Sequence, residues 1–304
     1  MRPLILDTDG SVPAIDGATV VPLGDLQEQI RFGCTMGQLK NLRERLAPPL
    51  RTPPEVAFLG SGDFHHLSYL LIERIARDRP IEVVVLDNHP DNMRYPFGVH
   101  CGSWVRRVTQ LPQVRHVHVV GITSSDVSAK RLWENYLTPL RRGQLTYWCI
   151  GSELRWPRWV PWHEALRSFG DADALLAAFK KHQAHSRAAL YLSIDKDVLS
   201  PSVVRSNWDQ GVFREETLHA IIELLGRRIV ACDITGEVSS YHYLRAWKRW
   251  LAARDAQPQV EAGQLYAWRQ QHCAVNDRLL AKLAHEMEQA GPAASANTAA
   301  MCSN

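Results

Sequence analysis

The stretch Ile81-Glu82-Val83-Val84-Val85-Leu86-Asp87-Asn88-His89-Pro90-Asp91 changes character at one residue. A six-residue run dominated by Val, Ile and Leu gives way to three potential metal ligands at alternate positions. A short continuous apolar run rich in β-branched side chains suits a strand buried on both faces of a parallel sheet. Pro90 has no N–H to donate, so the ladder stops and a loop begins. Asp87, His89 and Asp91 therefore fall at the carboxyl end of a strand, where open α/β sheets bind ligands. Carboxylate together with imidazole suits a borderline divalent ion such as Mn2+, Fe2+ or Zn2+. Taken alone, Asp-x-His-x-Asp is also an ordinary polar turn.

The same punctuation recurs along the chain. Val56–Leu59 ends in Gly60-Ser61-Gly62-Asp63, Ala188–Ile194 stops at Asp195-Lys196-Asp197, and Ile229–Ile234 contains Asp233 near its end. Val114–Gly121 and Leu145–Ile150 are further runs of this kind. Between them, His65–Arg77, Ala172–His182 and Arg214–Leu225 carry apolar residues three and four apart, the helical spacing. Strand and helix alternate, which predicts βαβ units and a three-layer α/β/α sandwich with a mainly parallel sheet. We expect one domain over residues 1–290, helical from about 241 to 290, with Tyr243–Arg254 and Leu265–Gln289 as helices and Trp247, Trp250 and Trp268 packing. The small, polar stretch 291–304 is expected to be a flexible tail. Trp148–Trp162 holds four of the ten tryptophans and reads as a long loop, either packed on the core or covering a site.

Composition removes several classes of function. In 304 residues, 45% hydrophobic and 22% charged side chains are ordinary globular values, so wholesale disorder is out. A formal net charge of +3 gives no electrostatic case for nucleic acid or an anionic membrane. No apolar run approaches the roughly 18 residues of a membrane span, and the N-terminus turns acidic at Asp7, unlike a signal peptide. Six scattered cysteines without a Cys-x-x-Cys pair read as reduced thiols, which places the chain in the cytoplasm. Gly60-Ser61-Gly62-Asp63-Phe64-His65 lacks the third glycine of a dinucleotide fingerprint. No serine sits in a Gly-x-Ser-x-Gly setting. His182 and His185 lie in a polar helical stretch and are expected to be solvated. The partner left is a small-molecule substrate, with a homo-oligomer as an open option.

Three pieces carry the chemistry. His65 or His66 follows one strand, Asp87-x-His89-x-Asp91 a second, and Asp195-x-Asp197 a third. Two buried carboxylates two residues apart call for a cation, and alternation turns Lys196 between them to the opposite face, a structural position. Six ligands rich in carboxylate are what two adjacent divalent ions need.

This constellation resembles the arginase, agmatinase and formiminoglutamase family, the ureohydrolases, patchily from about Val56 to Val238. Asp87, His89 and Asp91 match the family's Asp-x-His-x-Asp, and Asp195 and Asp197 its Asp-x-Asp, with Ser193 in place. Gly62-Asp63-Phe64-His65-His66 stands where the family has Gly-Gly-Asp-His-Ser; an ungapped alignment selects His65, a one-residue gap His66. The resemblance implies an arginase/deacetylase-like fold and two Mn2+ ions, with Zn2+, Fe2+ and Ni2+ as alternatives. It implies that Asp87 and Asp195 bridge the ions, that His65 and Asp91 complete one, and that His89 and Asp197 complete the other. Asp91 would also orient the attacking water. His100, in His100-Cys101-Gly102, looks like the proton-shuttling histidine. Glu237, in Asp233-Ile234-Thr235-Gly236-Glu237-Val238, looks like the glutamate that grips a guanidinium, with one extra residue before it. The function implied is cleavage of a C–N bond in a guanidino or amidine compound by metal-bound hydroxide. A linear amide hydrolase of the deacetylase-like branch and a catalytically inactive metal-binding homologue are the alternatives.

Overall fold

Successive side chains of a strand point to opposite faces, so an unbroken apolar run needs an apolar layer on each side. The computed structural model, which describes residues 1–51, 53–254 and 260–288, provides both. Its strands are β1 (Leu4–Asp7), β2 (Thr19–Pro22), β3 (Gly33–Cys34), β4 (Val56–Phe58), β5 (Ile81–Leu86), β6 (Val99–His100), β7 (Val114–Ile122), β8 (Leu145–Ile150), β9 (Leu166–Phe169), β10 (Ala189–Asp195) and β11 (Ile229–Thr235). Nine of them form one sheet in the order β2-β1-β4-β11-β10-β5-β7-β8-β9. Every pairing in it is parallel. β3 and β6 form a separate antiparallel pair beside it.

The two faces bury separate clusters. Val83 and Val85 of β5 and Tyr191 of β10 enter one, whereas Val84 and Leu86 of β5 and Leu190, Leu192 and Ile194 of β10 enter the other. Helices of nine residues or more are α1 (Met36–Arg45), α2 (Ala172–Gln183), α3 (Glu215–Leu225), α4 (Ala246–Arg254) and α5 (Ala262–Glu288). α1 supplies Leu39 and Leu42 to the first cluster; Leu175 of α2, Ile221 and Ile222 of α3 and Leu279 of α5 pack in the second. Each such side chain contributes about 1.5–3 kcal/mol by leaving water. α1 begins in a capping box, Thr35 accepting from the Gln38 N–H while Gln38 accepts from that of Thr35, which satisfies two otherwise orphaned donors.

Some expectations need correction. β1, β2 and β9 are short strands toward the sheet's two ends that carry no long apolar run, and their pairing comes from the neighbours. The helix expected over His65–Arg77 is a 3-10 turn, Gly62–Leu67, followed by a short α-helix, Ser68–Ile72. Trp247 and Trp250 are not packing residues: they are 41% and 61% exposed. α4 is held instead by Lys248, which is 0% exposed. Its ammonium donates to the carbonyl oxygens of Glu28, Gln29 and Arg31. These are the unsatisfied carbonyls at the end of a short helix, Gln27–Ile30, which attract a cation. Trp148 belongs to β8 and is buried, and Trp156 donates to the Val127 carbonyl oxygen. His182 and His185 are exposed. The five described cysteines are free thiols. Among the described residues no helix is long and apolar enough to cross a membrane. The tail expected over 291–304 lies outside the described residues.

Candidate metal centre

β4, β10 and β5 run parallel, so their carboxyl ends lie along one edge of the sheet. From these ends come His65, on the 3-10 turn after β4, then Asp87, His89 and Asp91 after β5, and Asp195 and Asp197 at the end of β10 and just beyond it. Two groups of potential ligand atoms result, each within 4.8 Å: His65 with Asp87 and Asp91, and Asp87 with His89 and Asp197. Asp87 belongs to both. The Nδ1 of His65 lies 3.2 Å from Asp87, 3.0 Å from Asp91 and 3.4 Å from Asp195. The Nδ1 of His89 lies 2.9 Å from Asp197 and 3.5 Å from Asp87.

Neighbouring groups aim these side chains. One oxygen of Asp87 accepts from the His89 N–H (2.6 Å), one of Asp195 from the Asp197 N–H (3.0 Å), and one of Asp197 from the Asn88 N–H (3.0 Å). Asp91 sits at φ 45°, a left-handed backbone, and accepts from the Trp104 indole at 2.5 Å. The Nε2 of His65 donates to the Ser193 hydroxyl (2.9 Å), which donates to Asp233 (2.8 Å); Tyr191 donates to that carboxylate's other oxygen. The Nε2 of His89 faces Asp209 at 2.7 Å. With both Nε2 atoms engaged by acceptors, each ring keeps a proton there and points its Nδ1 to the centre, where a bound cation would take the lone pair. That is the second layer a metal-ligating histidine requires.

The donor set fits divalent cations. The second oxygen of Asp87 is buried without any hydrogen-bond partner, a costly state unless a cation meets it. With no cation among them, burial and then the charge of Asp87 push Asp91 and Asp197 up to about 7. Burial and Asp197 push Asp195 well above the carboxylate range. Burial opposes protonation of His65 and His89, yet the surrounding carboxylates raise both. Four carboxylates this close cannot all ionise without added positive charge.

The choice between the two histidines is settled by surroundings. His66 is 0% exposed, neither ring nitrogen has a hydrogen-bond partner, and burial lowers its pKa to about 3. It turns away from the carboxylates, and His65 is the residue at the centre.

The centre opens into a cavity of about 330 Å3. His100 lines it, so the inserted Cys101 does not displace the ring. Its Nδ1 accepts from the Gly102 N–H at 2.9 Å, which puts the ring's proton on Nε2, and burial lowers its pKa to about 4. His100 is thus neutral at pH 7, a hydrogen-bond donor through Nε2.

Glu237 does not line the cavity, which corrects its expected place. Its carboxylate is 1% exposed, paired with the Lys196 ammonium, and accepts from the Asn276 amide of α5 at 2.8 Å. His272 approaches its other oxygen at 3.1 Å. The extra residue Gly236 is the reason. It adopts φ +84°, and a Cβ there would overlap the Asp195 carboxylate, so only glycine makes this turn. The turn sends Glu237 behind the Asp195 loop, onto Lys196. Lys196 does face away from the carboxylates beside it in sequence, as alternation requires. Among its described residues the Trp-rich segment contributes none to the cavity lining.

Sequence reasoning missed Asp209, Trp104, Phe32 and Trp208. The first two support ligands and the last two form a wall, and all four come from loops or turns without a motif. Asp233 was recognisable as a carboxylate within an apolar strand, a placement that needs partners.

An all-parallel nine-stranded sheet with helices on both faces and polar residues at its carboxyl edge is the arginase-like α/β fold. Proclavaminate amidino hydrolase from Streptomyces clavuligerus shares it with a TM-score of 0.54 and 15% identity, over 95% of this chain and 92% of that one. So does agmatine ureohydrolase of Thermoplasma volcanium, at 0.52 and 12%, over 95% and 89%. Formimidoylglutamase from Bacillus subtilis subsp. subtilis str. 168 gives 0.52 and 13%, over 96% and 88%. At these identities the likeness is one of fold. In sequence, the chain is 29% identical over 194 residues to an uncharacterized protein of Thermotoga maritima, a match spanning 64% of this chain and 61% of that protein. No family model matches the chain.

Proposed function

We propose that the chain is a divergent ureohydrolase that holds two divalent ions and cleaves a C–N bond of a small guanidino- or amidine-type molecule. Mn2+ is the first candidate metal, and the ligands are His65, Asp87, His89, Asp91, Asp195 and Asp197. The observation that carries this reading is the pair of ligand triads sharing Asp87. When bound, the ions supply Lewis acidity and a water acidic enough to attack a trigonal carbon at neutral pH. The chain's own residues do the rest. Asp91, fixed by the Trp104 indole, is placed to accept a proton from the attacking water. The His100 Nε2–H is placed to hydrogen-bond the leaving nitrogen, whose proton comes from Asp91, since a histidine held neutral at pH 7 has no acidic proton to give. Asp209 and the Ser193–Asp233 relay keep the two imidazoles in their ligating tautomers.

One observation favours a second reading, hydrolysis of a linear amide. Glu237 is paired with Lys196, so the carboxylate that would grip a guanidinium is taken. Metal content after Mn2+ loading and desalting, with an ammonia-release screen over guanidino compounds and linear amides, tests both. The reading expects about two ions per chain, in line with two triads, falling sharply in Asp195→Ala. A protein that retains no metal overturns it, and one tightly held Zn2+ with amide turnover establishes the second reading.

A further inference from the structure

Among the described residues two non-glycine residues have a left-handed backbone, and both line the cavity: Asp91 at φ 45° and Phe32 at φ 65°. For a bulky residue such a φ is a true outlier, held only where the surroundings over-determine it. They do so at Phe32. Its N–H donates to the Asp63 carbonyl oxygen (3.0 Å), and its own carbonyl oxygen accepts from the Cys101 N–H (2.9 Å). Asp91 has a role at the metal centre, whereas the reaction gives Phe32 none.

The strained backbone puts the Phe32 ring between two others. It stacks on His100 at 5.8 Å and 14°, and on Trp208 at 6.1 Å and 27°. Trp208 in turn meets the His89 ring edge-on at 6.1 Å. Neither gap is wide enough for an inserted ring, so the three rings form one continuous shelf that runs up to a metal ligand. Met93 and Cys101 extend the apolar lining.

The charges around the cavity mouth are all engaged. Arg131 pairs with Asp126 at 2.6 Å and with Glu134 at 2.9 Å. Asp209 accepts from His89 and from the Asn88 amide. A substrate carboxylate would meet Asp126 and Asp209, and Arg131, the one arginine or lysine lining the cavity among the described residues, already lies between two acids.

We propose that Phe32, with Trp208 and the His100 ring, is the specificity surface of the site, and that the substrate bears a flat apolar group, such as an aryl ring, beside its C–N bond and no carboxylate. The proposal rests on the hydrolase reading for the reacting end of the substrate, and on the shelf for the rest. A flat hydrocarbon face gains most from a rigid aromatic surface, by area and by ring–ring contact.

The test uses three guanidines with the same reacting group and different tails: phenylguanidine, methylguanidine and 4-guanidinobutyrate. Binding to the Mn2+-loaded full chain is measured by calorimetry, and turnover, read as urea release, in parallel. Phenylguanidine is expected to bind at least tenfold more tightly than either of the others. Phe32→Gly, whose glycine is at home at this φ, should erase that ratio with metal content unchanged; Trp208→Leu should reduce it and serves if the first variant fails to fold. Equal binding of the three, tighter binding of 4-guanidinobutyrate, no binding of any, or a ratio that survives in Phe32→Gly and Trp208→Leu overturns the proposal. The two readings fail separately. Phenylguanidine bound selectively but never cleaved upholds the shelf and removes the guanidino hydrolase. Equal kcat/KM for all three overturns the shelf and upholds the hydrolase.

Discussion

Replacing Lys196 by Met tests why Glu237 left the cavity. Lys196 is 0% and Glu237 1% exposed, so no solvent screens the pair. Removing one partner strands a buried carboxylate, with Asn276 and His272 as its remaining neighbours. Breaking such a pair costs about 3–5 kcal/mol, because the charge left behind has lost its compensation. At an m value of about 3 kcal/mol/M, a 4 kcal/mol loss moves the urea midpoint down by about 1.3 M. The double variant Lys196→Met/Glu237→Gln removes the stranded charge and should return to within about 1 kcal/mol of the parent. Acidity supplies a further handle. Burial raises the Glu237 pKa, but Lys196 and His272 outweigh it and hold the group below its ordinary 4.5. The stability this gives is present above pH 4.5 and is lost as pH falls through the lower folded value. The gap between parent and Lys196→Met should therefore close at strongly acid pH. A single-variant loss under about 1 kcal/mol, or no recovery in the double variant, would refute the burial argument and return Glu237 to the cavity.

Other outcomes follow from the same geometry. Asp209→Ala removes the acceptor on His89 Nε2 and should weaken one of two Mn2+ sites about 10–100-fold while leaving the other, as read by metal titration; equal weakening of both sites would count against separate triads. Excess Mn2+ at about 100 times its dissociation constant should stabilise the chain by about 2.7 kcal/mol for each site filled, and EDTA should reverse this; calorimetric scans insensitive to both would contradict a folded-state site. His66→Leu replaces a buried ring whose two nitrogens lack partners. Because burial depresses its pKa from 6.5 to about 3, His66 contributes to stability above pH 6.5 and loses that contribution as pH falls. Urea midpoints at pH 7 and pH 5 should differ less in His66→Leu than in the parent, and an unchanged difference would show that His66 is not buried neutral.

The sheet was legible because its signal is local. Ile81–Leu86 and Ala188–Ile194 are apolar without a break, and only a strand covered on both faces accommodates that. The candidate ligands Asp87, His89, Asp91, Asp195 and Asp197 were legible because each lies at the point where such a run stops. The short strands β1, β2 and β9 were not legible, since so few residues carry no period of their own. Trp247 and Trp250 misled because side-chain size suggested burial, whereas Lys248 forms the anchor through helix-end carbonyl groups.

By itself the sequence determined the alternation of strand and helix, the parallel sheet and the order of the candidate ligands along its edge. These follow from periodicity and from where polar residues interrupt it, which are properties of neighbouring residues. The tertiary structure alone decided that His65 and not His66 joins the carboxylates, and that Glu237 turns to Lys196. It also decided that Asp209, Phe32 and Trp208 stand beside the centre. Each of these depends on the direction of one side chain after a turn, and a turn such as that at Gly236 takes its direction from the residues packed against it in space.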